Sequence, residues 1–195
     1  MGDGFWPCAL CGICTLIFTG MWAIVFGIYG FHNPDLRQNN GEHCWVEQGN
    51  LFEPVPIGQN RTEFAVDGTQ MMLNVFRAQF FVNVSMVAFL FVGIIVGVCI
   101  YWEKDSEEHS IAAISSIGCL GCAAITLLVF WLLGSTICDI WMRIIRYQHV
   151  IRVCSGDFLM GPQTVMSHPY MRSSGNLMWW YTFMFGGDGG GRSNN

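Results

Sequence analysis

Cysteine is the residue type whose spacing in this chain most invites chemistry. Cys8, Cys11 and Cys14 stand three residues apart, Cys119 and Cys122 repeat that interval, and Cys44 and Cys154 lie in more polar surroundings. A C-x2-C-x2-C run begins an iron–sulfur ligand pattern, but the bacterial pattern continues with a fourth Cys and a Pro, and here Phe18 follows. A zinc or copper site built from Cys8, Cys11, Cys119 and Cys122 would place thiolates within apolar spans, where metal ligands are seldom found. The expectation is therefore no metal and no cofactor. These cysteines read as small, polarizable packing residues, with Cys8 and Cys11 open to S-acylation if they face the cytosol.

The remaining candidates for chemistry are weaker. His32, Asp35, Glu42, His43, Cys44 and Glu47 supply metal donors in one stretch, but at no ligand spacing, so a solvated loop is expected. The chain contains no H-E-x-x-H, G-x-S-x-G, Walker or dinucleotide motif. The expectation is that it is not an enzyme.

The elements that would position these residues are legible in composition. Segments of about 5–31, 78–102 and 110–138 lack Asp, Glu, Lys, Arg and His, and each exceeds the roughly 20 apolar residues that a spanning helix needs. Only helices satisfy their own backbone groups in hydrocarbon, so the predicted fold is all-α: a polytopic helical membrane protein with three transmembrane helices. The polar residues in these spans, among them Thr15, Asn83, Ser116 and Ser135, are uncharged, whereas ion-coupled pumps ordinarily carry an ionisable group there.

Residues 1–185 are expected to form a single membrane domain. The connection 32–77 is rich in Asn, Gly, Pro and Gln and reads as loop, with the second helix extended from about Phe64 onward. The seven residues Glu103–His109 make a tight turn, so the second and third helices should form an antiparallel hairpin. Beyond Cys138, the positions Ile137, Ile140, Trp141, Ile144, Ile145, Gln148 and Ile151 share one side, predicting an amphipathic extension over 139–153. The apolar run Leu177–Phe185 rises only about 14 Å as a helix, which predicts an interfacial or incomplete fourth segment. Residues 186–195 form a Gly-rich polar tail.

Small residues recur on the spans: Gly20 and Gly27, the G-x-x-x-G of Gly93 and Gly97, and Gly118 with Gly121. Such spacing lets helix backbones approach closely, within the chain or against partner helices.

Orientation is contested between two signals. The side that carries the first loop, here side B, holds Arg37, Arg61, Arg77, Arg143, Arg146 and Arg152, while the opposite side A has Lys104 alone. The positive-inside rule then predicts side B in the cytosol or matrix, with Cys44 and Cys154 as reduced thiols and Asn60 without glycan. Against it stand the sequon Asn60-Arg61-Thr62 and the pairing that Cys44 and Cys154 would undergo in an oxidising compartment. A membrane thiol oxidoreductase is disfavoured because exchange needs direct attack of thiolate on sulfur, and Cys8–Cys14 lie across the bilayer from Cys44 and Cys154.

With 52% apolar residues, a net charge of −5 and no basic face, the chain offers nothing to nucleic acid. Its expected partners are the lipid bilayer and other membrane subunits or further copies of itself. The function expected from sequence is a non-catalytic structural or interaction subunit of a larger membrane assembly. The alternative is a channel-type or tetraspan-like cell-surface protein. The membrane could be the plasma membrane or an organelle inner membrane.

Overall fold

The computed structural model describes residues 5–47, 53–103, 110–158 and 168–186, with side chains described over 12–47, 53–95, 125–158 and 168–184. Among the described residues, six helices and one short two-stranded sheet follow one another: α1 (Phe5–Phe31), α2 (Pro34–Gln38), β1 (Trp45–Val46), β2 (Val66–Asp67), α3 (Gly68–Glu103), α4 (Ser110–Tyr147), α5 (His149–Cys154) and α6 (Arg172–Gly186). Three of the helices are long and apolar enough to cross a membrane. In each of their most apolar windows less than a fifth of the residues is buried inside the chain. A helix that is apolar all round and still uncovered is matched to hydrocarbon or to other helices, not to water.

Two compact units share these helices: Met1–Val25 with Gln79–Ile137, and Phe26–Ala78 with Cys138–Asn195. In the first unit Trp131 Nε1 donates to Val82 O at 3.3 Å, tying α4 to α3, and Met86 is buried. A Cβ at Gly20 or Gly93 would meet nothing within 4 Å, so the described chain makes no close backbone approach at either residue. The side chains around Gly97, Gly118 and Gly121, and those of Cys8, Cys11, Cys119 and Cys122, lie outside the described residues.

The second unit holds most of the buried side chains. Phe26, Met72, Phe76, Met142, Ile151, Met171 and Met178 are fully enclosed, with the Phe26 ring stacked on Phe76 at 6.1 Å and edge-on to Tyr181 at 5.1 Å. The loop expected over 32–77 contains α2 and the antiparallel pair β1–β2, with Trp45 opposite Asp67 and Val46 opposite Val66. α3 begins at Gly68 because Asp67 accepts from Gln70 N at 2.9 Å, an N-cap that the Asp-Gly-Thr-Gln sequence encodes.

Beyond Cys138 the structure departs from the predicted amphipathic extension. The helix stops at Tyr147, Gln148 turns extended, and α5 starts afresh at His149. Moreover Ile137, Ile140 and Ile144 are 65%, 52% and 57% exposed, while Met142, Ile145 and Arg146 face inward. Here the aliphatic side looks outward and the polar residues Asp139 and Arg146 find partners within the unit.

α6 is a true helix of 15 residues, about 22 Å long, and remains shorter than a hydrocarbon core. It runs antiparallel to the end of α1, since Ser174 meets Asn33 and Tyr181 meets Phe26. Tyr181 Oη donates to Asp139 at 2.8 Å, fixing α6 to α4 as well.

The start of α6 is capped from another helix. Asp35 Oδ1 accepts from Ser173 N at 3.1 Å, and Oδ2 accepts from Ser174 N and from Ser174 Oγ, both at 2.7 Å. Helix N-termini leave donors unpaired and favour negative charge, so this buried carboxylate satisfies both demands. Neighbouring Asn33 caps α2 through Asp35 N and donates to Tyr29 O at 3.0 Å and to Ser174 Oγ at 2.9 Å. Asp35→Ala should therefore lower stability by about 2 kcal/mol, because it strands the buried Ser174 N and the half-buried Ser173 N, while Ser174 Oγ keeps Asn33 Oδ1 as an acceptor. Thermal unfolding in mild detergent measures this, and wild-type melting would show that the cap carries no load.

Candidate functional site

One covalent link joins the start of β1 to the end of α5. Cys44, just before β1, and Cys154, the last residue of α5, form a disulfide with Cα atoms 5.9 Å apart. This corrects the free thiols predicted there from the distribution of Arg. The physical reason lies in backbone pairing on both sides of the link. Cys44 N donates to Thr69 Oγ1 at 2.8 Å, Gly68 N donates to Cys44 O at 3.0 Å, and Met171 N donates to Cys154 O at 2.7 Å. The two sulfurs are thus held by the start of α3 and the segment before α6.

Gly68 is the residue that allows it. A Cβ there would lie 2.6 Å from Cys154 Sγ and 3.1 Å from Val150 Cγ1. Gly30 plays the same part at the end of α1, where a Cβ would press on Arg77 at 3.1 Å while Arg77 Nε donates to Gly30 O at 2.9 Å. Gly175 admits Ser155 against α6. These are the glycines at which the described chain packs closely. Sequence reasoning missed them because it sought small residues at helical spacing within apolar spans, and all three stand at element ends.

The metal donors of the first loop are dispersed among separate tasks. Asp35 caps α6, Glu42 pairs with Arg61 at 3.6 Å, and His43 Nδ1 lies 2.7 Å from Asp67 Oδ2. Cys44 is in the disulfide, and Glu47 accepts from Thr62 N. Among the described residues no group of three or more His, Cys, Asp or Glu is placed to hold a metal ion. Cys14 is a free, exposed thiol and Cys138 a half-buried one.

Outward from the disulfide, residues 53–65 fold over β1. Val55 N donates to Trp45 O at 2.8 Å, and the Arg61 guanidinium sits 4.6 Å above the Trp45 ring. A turn at Gly58, whose φ is +83°, carries the chain away again. Ile57 and Phe64 project from this loop 44% and 69% exposed, and Asn60 is exposed between them. Opposite, Arg146 is 7% exposed and clasps Asp157 with both terminal nitrogens, at 2.9 and 3.1 Å, while Arg152 Nε approaches at 3.7 Å. Burial pushes the Tyr170 phenol above its ordinary pKa, Glu53 adds to the shift and Arg172 opposes it. The geometry is that of a braced surface. Among the described residues, His43 pairs with Asp67, Arg61 with Glu42, and Arg146 and Arg152 with Asp157.

Set against known protein families, curated proteins and solved structures, the chain matches none of them.

Gly68→Val should interfere with the link, because the added methyls occupy the space of Cys154 Sγ. The expected outcome is a marked fall in the fraction of protein with Cys44 joined to Cys154, read by mass spectrometry after thiol alkylation. Complete linkage in the variant would show that α3 can shift at no cost.

Proposed function

We propose that this chain is a membrane protein with three crossing helices, α1, α3 and α4, that works by contact, not catalysis. Its disulfide-braced unit lies outside the cytosol and offers the connection between α1 and α3 to a partner protein. The observation that carries this reading is the Cys44–Cys154 disulfide. Such links persist in oxidising compartments and are rare where glutathione and thioredoxin keep thiols reduced. Cys44 stands after α1 and Cys154 after α4, the same side of the bilayer if α1, α3 and α4 each cross once. On this reading side B lies outside or in a lumen, against the positive-inside expectation.

Membrane residence is supported by the exposure of the three apolar helices. A contact role is supported by the way polar side chains are spent: Asp35, Asp67, Arg146 and Asp157 all serve the framework. Exposed Ile57 and Phe64 at the rim supply the apolar side chains that protein interfaces favour. An assembly subunit shares these features and differs in what covers α3 and α4, namely helices of other chains in place of lipid.

Trypsin provides a direct test, since cleavage at Arg37, Arg61, Arg152 and Arg172 releases residues 38–61 and 153–172, each with a single Cys. Intact cells are alkylated before lysis, and membranes are stripped with alkaline carbonate. The expected result is retention in the membrane pellet and recovery of 38–61 covalently joined to 153–172. Recovery of the two peptides separately, both alkylated, would reverse the proposed orientation.

A further inference from the structure

We propose that Asn60 is an N-glycosylation site, so that the braced surface carries an oligosaccharide beside Ile57 and Phe64. The inference rests on the orientation proposed above and adds a modification to it. Sequons arise by chance, and this chain shows how structure sorts them. Asn83-Val84-Ser85 lies inside α3, where Asn83 Nδ2 donates to Gln79 O at 2.8 Å and Ser85 Oγ donates to Val82 O at 2.7 Å. Both side chains are turned back onto helix carbonyls within an apolar window, beyond reach of any glycan-transferring enzyme.

Asn60-Arg61-Thr62 is placed differently in every respect. All three residues are exposed, and residues 59–62 belong to neither helix nor strand. The flanking turn is anchored by Gln59 N donating to Pro56 O at 3.3 Å, and Ala65 N donates to Thr62 O at 3.2 Å. Arg61 is drawn toward Trp45 and Glu42, so the middle residue is fixed to the framework while Asn60 remains exposed. No Pro occupies the middle position or follows Thr62, which is the chemical requirement of the acceptor.

Compartment follows from connectivity. Between Cys44 and Asn60 the sequence has no apolar run long enough to cross a bilayer, so the two residues share one side. Whatever compartment oxidises Cys44 with Cys154 also receives Asn60. Nor does the fold obstruct the product, because glycosylated residues are surface loop residues and Asn60 is one.

The reaction is a group transfer without redox change. Asn60 Nδ2 attacks the anomeric carbon of an oligosaccharide carried on a polyprenyl diphosphate. A nitrogen–carbon bond forms, the bond from that carbon to the diphosphate oxygen breaks, and the lipid diphosphate leaves. Nδ2 loses one proton to the transferase's base.

The test uses the full chain expressed in cells that carry out luminal N-glycosylation. Membrane protein is treated with peptide N-glycosidase in heavy-oxygen water, and residues 38–61 are read by mass spectrometry. The expected result is an Asp carrying heavy oxygen at position 60, together with a single discrete mobility step lost on glycosidase treatment. Asn60→Gln and Thr62→Ala should abolish that step, while Thr62→Ser and Asn83→Gln should preserve it. An unlabelled Asn60 in peptide still joined to 153–172 would overturn the glycan and leave the orientation standing. An unlabelled Asn60 with both cysteines alkylated would overturn the two together. Because the label is read on the wild-type chain, a variant that fails to fold leaves the outcome decisive.

Discussion

The Cys44–Cys154 link joins residues 110 apart in sequence, and β1, α5, the start of α3 and the segment before α6 meet at it. In the chain-entropy account, closing a loop of that length in a fully flexible chain stabilises the fold by about 4–5 kcal/mol. Two long helices lie inside this loop, and if the proposed membrane placement holds they have already surrendered most of their freedom. The gain is correspondingly smaller, and the main effect is geometric. One bond fixes β1 against α5, and the hydrogen bonds of Cys44 with Thr69 and Gly68 carry that constraint into α3. Met171 N on Cys154 O carries it toward α6.

A second constraint, the capping of helix ends, completes the unit. The end of α1 leaves carbonyls without partners, and two are answered by side chains: Tyr29 O by Asn33 and Gly30 O by Arg77. The start of α6 leaves amides unanswered, and Asp35 takes two of them. Helix termini placed near hydrocarbon have little water to fall back on, so protein groups must supply these bonds. Capping by distant residues thus does what a soluble protein's apolar core does. It decides which element lies beside which.

Much of the helical framework was legible in the sequence. Charge-free runs marked the three long helices because lipid requires length and low polarity and little else. The apolar run Leu177–Phe185 marked part of α6, which starts earlier, at Arg172, on the strength of the Asp35 cap. What could not be read was anything decided between distant residues. Nothing around Gln148 signals a break, since the break serves to bring Cys154 to Cys44. Glycine at 68 looks like an ordinary turn residue until the sulfur beside it is placed. The stripe at Ile137, Ile140 and Ile144 was legible as a period but not as a direction, because periodicity does not say which solvent lies outside.

The same limitation explains why the Arg distribution and the disulfide point in opposite directions. The positive-inside rule counts Lys and Arg near span ends as charges that resist translocation. Of the six on side B, Arg146 is buried against Asp157, Arg152 lies near the same carboxylate and Arg61 pairs with Glu42. Arg77 is committed to Gly30 O and the Phe31 ring. Four of the six are thus structural parts of a folded unit, placed by the needs of helix ends and loop packing. On the proposed orientation their distribution follows from folding rather than from insertion. Whether Cys44 and Cys154 stay joined depends on the compartment's redox poise as well as on the geometry that brings them together, and the proposed orientation therefore gives the disulfide more weight than the Arg distribution.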